Sequence, residues 1–105
     1  DGEGRNGLYT QELLKQIQTK EGKIAYAPKA AAGFGYALGS WVVEEKDGKA
    51  GTLACPGLFG TWPMVDFCRG YAYLVFVKNL LGEEKAETHQ ALKQVIDEQM
   101  KSNCN

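Results

Sequence analysis

The 105-residue sequence predicts a single α+β domain, an antiparallel sheet of three or more strands with an N-terminal and a C-terminal helix packed on it. Three observations carry that expectation. The pair Asp47-Gly48, a strong hairpin signal, separates two strand-like runs. The run Tyr71 to Asn79, "YAYLVFVKN", is apolar at nearly every position, as in a strand covered on both faces. Between Gly82 and Lys101, Leu92, Val95, Ile96 and Met100 fall at helical spacing.

Taken in order, the first element is a helix over "TQELLKQIQT". Thr10 is its N-cap, Leu13, Leu14 and Ile17 share one face, and Gly22 suits its C-terminal turn. "IAYAPKAAAGFG" reads as a connection, with a short strand at Ile24 to Tyr26. Phe34, Tyr36 and Leu38 alternate, and the alternation slips before Trp41 and Val43. A bulge at Gly39 would produce that slip. After the Asp47-Gly48 turn a second strand runs from about Ala50 to Cys55. Cys55-Pro56-Gly57 interrupts it, because proline donates no ladder hydrogen bond. "FGTWPMVDF" resumes the extended path, and Asp66 anchors a turn that Gly70 closes. Tyr71 to Asn79 then demands a helical layer on each face, which the two terminal helices would supply.

Composition narrows the function classes. With 44% apolar and 24% charged residues the chain reads as an ordinary globular domain. Twelve basic residues against thirteen acidic ones leave a net charge of -1, so no basic stripe exists for nucleic acid. The apolar runs fall short of the roughly 20 residues a membrane helix needs. The polar, Gly-rich start "DGEGRNG" does not read as a signal peptide.

Chemistry-bearing groups are few. One histidine, His89, and no C-x-x-C pair leave a zinc site short of ligands, and no cofactor motif occurs. Cys55, Cys68 and Cys104 are expected to be reduced thiols, with Cys104 frayed at the C-terminus. A thiol–imidazole pair of Cys55 and His89 would need the two within hydrogen-bond reach. The plainer expectation makes Cys55 a small buried filler and His89 a rim residue. Trp41, Trp62, Phe59 and Tyr36 are read as core rather than as a ligand platform. Gly33-Phe34-Gly35 is too little for a phosphate cradle.

The ordered run "GYALGSWV", an Asp-Gly hairpin, "CPGLFGTWPMVD", "RGYAYLVFV" and an amphipathic C-terminal helix resembles the end of the serine β-lactamase-like family. That family includes class C β-lactamases, DD-peptidases and related esterases. The resemblance covers roughly residues 33–100. It implies that Cys55, Pro56 and Gly57 take the places of the Lys-Thr-Gly or His-x-Gly triplet on a strand bordering the active-site cleft. Leu58 would then donate a backbone N–H to the oxyanion, a contribution of about 3–4 kcal/mol in acyl transfer. Gly57 would admit close substrate approach, and Pro56 offers no competing N–H.

The family's Ser-x-x-Lys nucleophile and its Tyr-x-Asn or Tyr-x-Ser group have no counterpart here; Ser40 is followed by Trp-Val-Val, and Ser102 by Asn-Cys-Asn. The resemblance therefore implies the C-terminal fragment of a longer bacterial hydrolase of the periplasm or cell envelope. Such a fragment has no catalytic residue of its own and is inactive alone. Its partners would be the remainder of the parent chain and, in the parent, a small-molecule or peptide substrate. The alternative is a small non-enzymatic binding domain that uses an exposed sheet edge, which also allows an edge-strand dimer.

Overall fold

The computed structural model describes residues 15–20, 23–24, 26–57, 59–76 and 85–104. Among these residues five antiparallel strands form one sheet in sequence order: β1 (Gly35–Ala37), β2 (Ser40–Lys46), β3 (Lys49–Ala54), β4 (Trp62–Asp66) and β5 (Tyr71–Val75). One helix of 12 residues, α1 (Ala86–Asp97), packs on the sheet, and a 3-10 turn spans Lys29–Ala31.

The turns follow local chemistry. Asp47 and Gly48 have φ of 52° and 75°, the paired positive values a two-residue β2–β3 hairpin requires. Gly39, at φ 72°, is not a bulge within one long strand but half of the turn joining β1 to β2, with Ala37 opposite Ser40. The true irregularity lies further on, where the β2–β3 register shifts between Val42 and Glu44. Asp66 anchors the β4–β5 turn as expected: its Oδ1 accepts the Arg69 N–H at 2.7 Å, and its carbonyl accepts the Gly70 N–H at 2.9 Å. This closes the hairpin with Asp66 opposite Tyr71.

The sheet carries one helix among the described residues, not two. Residues 15–20 of the expected N-terminal helix are non-helical, and residues 10–14 lie outside the described set. The reason is where the backbone finds partners. Lys15 O accepts the Ala50 N–H, and Thr19 exchanges N–H···O bonds with Tyr36, so the segment pairs with the sheet rather than with itself. Ile17 then packs against Ala37, Val42, Ala50 and Leu53. The expected strand at Ile24 to Tyr26 is absent at its described residues, Ile24 and Tyr26.

On the helix side the core is Ala30, Ala54, Trp62 and Met64, with Val43, Tyr71, Tyr73 and Ala86 against it. Trp62 is buried as expected of a core residue, whereas Phe59 is exposed. Tyr36 and Trp41, half-buried, meet edge to face with ring centroids 5.1 Å apart.

Two further expectations fail for stated reasons. Leu92 and Val95 of the expected apolar stripe face away from the sheet, 41% and 59% exposed, and Ile96 is only half-buried, while His89 and Lys93 are buried. Residues 89, 93 and 97 recur every fourth position, so one helical face is polar and complements charged groups on the sheet. Moreover, Cys68 and Cys104 are joined in a disulfide across 36 residues. The β4–β5 turn meets the tail that follows α1, and Asn103 N–H donates to Cys68 O at 2.6 Å, which brings the sulfurs together.

The remaining face of β5 is uncovered. Tyr71 and Tyr73 are half-buried against α1 and Val75 is half-buried on the same face of the strand, but Leu74 is 59% and Phe76 85% exposed. The two-sided cover that the apolar run demanded is supplied on one side only among the described residues.

Candidate functional site

Two groupings concentrate the chemistry. The first is an ionic cluster between α1 and the sheet. β2 supplies Glu44, β4 Asp66, the β4–β5 turn Arg69, β5 Tyr71, and α1 Lys93 and Asp97. Arg69 Nη1 lies 2.9 Å from Asp66 Oδ2 and 3.2 Å from Glu44 Oε2, and its Nε lies 3.5 Å from Asp97 Oδ1. Lys93 Nζ donates to Asp66 and to Asp97, and Tyr71 Oη donates to Asp97 Oδ1 at 2.7 Å. No buried side-chain nitrogen or oxygen of the described residues lacks a partner.

The electrostatics decide what the cluster can do. Burial pushes the Asp66 carboxyl up, but the Arg69 backbone N–H, the guanidinium and the Lys93 ammonium outweigh it and hold Asp66 below its usual range. Burial pushes Lys93 down, but its bonds to Asp97 and Asp66 prevail and raise it. Tyr71 is raised by burial and then by its bond to Asp97. A general base or nucleophile needs its amine or phenol deprotonated near neutral pH, and these shifts run the other way. Although the carboxylates of Glu44, Asp66 and Asp97 lie within 4.8 Å of one another, two cations already sit among them, so they do not form a vacant metal cage. The cluster holds α1 to the sheet.

Beside it, His89 stacks on Trp62 with ring centroids 4.6 Å apart, and its Nδ1 lies 3.5 Å from Tyr73 Oη. His89 is thus buried rather than a rim residue, and burial lowers its pKa. Its position follows from the helical spacing that also turns Lys93 inward.

The second grouping is the β3–β4 connection, which contains Cys55, Pro56 and Gly57. Cys55 is an exposed free thiol rather than a buried filler. Its N–H continues the ladder to Pro63 O at 3.1 Å. Gly57 N–H donates to Thr61 O at 2.9 Å, and Gly60 N–H donates to Gly57 O, so the loop folds on itself. The N–H groups at 55 and 57 are therefore committed internally, and Pro56 has none. Leu58, the expected oxyanion donor, lies outside the described residues. A mostly apolar cleft of about 240 Å³ opens beside the loop, with Leu38, Leu53, Cys55, Pro63 and Val65 among its walls. Cys55 Sγ points to Gly39 O at 3.9 Å, while His89 sits under α1 against Trp62. The structure does not bring Cys55 and His89 together.

Glu44, Arg69, Lys93 and Asp97 were missed in the sequence. The available signal was the His89-x-x-x-Lys93-x-x-x-Asp97 spacing, which puts three polar residues on the face opposite Val95. The chain matches no family model, no curated protein and no solved structure.

Proposed function

We propose that the chain is the C-terminal segment of a serine β-lactamase-like hydrolase. In this reading it contributes sheet and part of an oxyanion-binding strand to an acyl-transfer or hydrolysis site for an amide, β-lactam or ester, and is inactive alone. One observation supports this reading above others: among the described residues the β4–β5 end of the sheet is covered on one side only, with the apolar residues Val65, Leu74 and Phe76 exposed on the side opposite α1, whereas residues 15–20 cover that side further along. A sheet of that kind fits a layered enzyme whose second layer is contributed by another part of the chain. β2, its Asp-Gly hairpin and β3 follow one another in the order the resemblance expects, while Cys55-Pro56-Gly57 lies in the loop after β3 rather than on the strand itself. The cell envelope of a bacterium is the corresponding location.

The test uses the isolated chain with a chromogenic β-lactam and a p-nitrophenyl ester, together with the reading frame upstream of Asp1. We expect no burst with either substrate and an upstream Ser-x-x-Lys. A stoichiometric acyl-enzyme, or a reading frame without that motif, overturns the proposal.

A second reading rests on β5, which ends the sheet order with an apolar sequence and no neighbour beyond it among the described residues. Such an edge suits strand addition by a partner or by a second copy. Sedimentation velocity distinguishes it: association that grows with concentration and disappears in Leu74→Lys supports this reading, and a constant monomer value counts against it.

A further inference from the structure

We infer that the bare apolar face of β4 and β5 is a docking surface for this chain's own residues 8–14, which reach it from the point where Lys15 is fixed. Cross-strand pairing makes that face continuous with one already covered. Leu53 stands opposite Val65 and Pro63 opposite Leu74, so these four residues share one side of the sheet. Leu53 lies under Ile17, and Phe67 packs against the same group. Val65, Leu74 and Phe76 extend the surface with nothing over them among the described residues. The apolar cleft of about 240 Å³ joins the two parts, with Leu53 and Phe67 from the covered part and Pro63 and Val65 from the bare part among its walls.

The path of residues 15–20 sets the direction of approach. Thr19 pairs with Tyr36 on β1, whereas Lys15 O accepts the Ala50 N–H on β3. Followed toward its N-terminus, the chain therefore crosses above β2 and heads for β4 and β5. Lys15 is held at the border of the bare face, with its Nζ 4.8 Å from the Phe67 ring centroid. Cys55 donates its N–H to Pro63 O, and Pro63 stands opposite Leu74, so Leu74 lies two strands across from Ala50 and five residues further along. That separation is about 20 Å. Seven extended residues reach about 23 Å.

The seven residues before Lys15 also have the composition of a cover. Leu8, Tyr9, Leu13 and Leu14 are apolar, whereas residues 1–7, "DGEGRNG", carry no apolar side chain. Burying the first set against Val65, Leu74 and Phe76 removes apolar surface from water on both partners. The exposed pair Leu92 and Val95 is not a competing surface for this segment, because it faces outward from α1 on the opposite side of the sheet. This inference goes beyond the hydrolase reading and does not depend on it, since face and cover both belong to this chain.

The experiment is NMR on the full oxidised chain with labelled leucine, valine and phenylalanine side chains. Cross-relaxation is expected between Leu8, Leu13 or Leu14 and Val65, Leu74 or Phe76, independent of protein concentration. Its absence overturns the proposal, as do cross-peaks that appear only as concentration rises, which would make a second copy the occupant. In Leu13→Asp/Leu14→Asp those cross-peaks should vanish, and fluorescence of an added apolar dye should rise about tenfold with hydrogen-exchange protection in α1 retained. Dye fluorescence equal to that of the unaltered chain overturns the proposal. If the variant fails to fold, the cross-relaxation in the unaltered chain decides the same question.

Discussion

Lys93 Nζ lies 3.2 Å from Asp66 Oδ2, joining residues 27 apart in sequence beneath α1. Asp66, 1% exposed, is the shared anion of the cluster, since Arg69 also bonds it at 2.9 Å. Asp66→Ala leaves two cations facing each other without it and should cost about 3–5 kcal/mol. Lys93→Met should cost less, because Arg69 still pairs both Asp66 and Asp97. Urea unfolding of the two variants checks the order, and a Lys93→Met cost equal to or above that of Asp66→Ala contradicts it.

Acid should weaken the fold in two stages. His89 has a folded pKa below its ordinary 6.5, so its neutral form contributes stability above that pH, lost as pH falls through the lower folded value. Asp66 is likewise depressed from 3.8, so its contribution is present above that pH and lost below it. Urea midpoints across pH should show both stages, and His89→Phe, which keeps a ring on Trp62, should remove only the first.

Base should act in the opposite direction. Lys93 is raised above 10.5 and Tyr71 above 10.0, so their contributions are complete below about pH 10 and lost as pH rises through the folded values. Tyr71→Phe should flatten the alkaline limb of the stability profile and leave the acid limb unchanged.

Gly51→Ala should destabilise by about 1–3 kcal/mol. The added methyl would stand 3.0 Å from Cys68 Sγ and 3.4 Å from Glu44 O. The sulfur is tied into the disulfide and cannot swing away, so crowding outweighs the roughly 0.4–1 kcal/mol that replacing glycine gains through the unfolded chain. A thermal midpoint at or above that of the parent chain refutes this.

Thiol titration gives a direct count. The native oxidised chain should react with one equivalent of a thiol reagent, at Cys55, and the reduced, denatured chain with three. Three equivalents from the native oxidised protein would mean that Cys68 and Cys104 are unpaired.

Much of the strand path was legible because local rules decide it. Asp47-Gly48 names its own hairpin, and Asp66 anchors a turn with its own side chain and carbonyl. Gly39 was misread because a one-residue slip in alternation fits a bulge and a two-residue turn equally well, and only the pairing of Ala37 with Ser40 separates them. Residues 15–20 were misread because helical spacing is only a tendency, and backbone partners on Tyr36 and Ala50 override it. As for the candidate site, Cys55, Pro56 and Gly57 do form a loop at the end of β3, but the use of their N–H groups depended on Thr61 and Pro63.

The sequence by itself determined an antiparallel meander and a C-terminal helix, because turn chemistry and periodicity act over a few residues. The tertiary structure decided which face of that helix is buried and which cysteines pair. Those outcomes depend on Glu44, Asp66 and Arg69 meeting Lys93 and Asp97, and on a turn meeting a tail 36 residues away. An apolar stripe indicates that a face seeks cover. It does not say whether the sheet, holding buried charges of its own, is the surface that provides it.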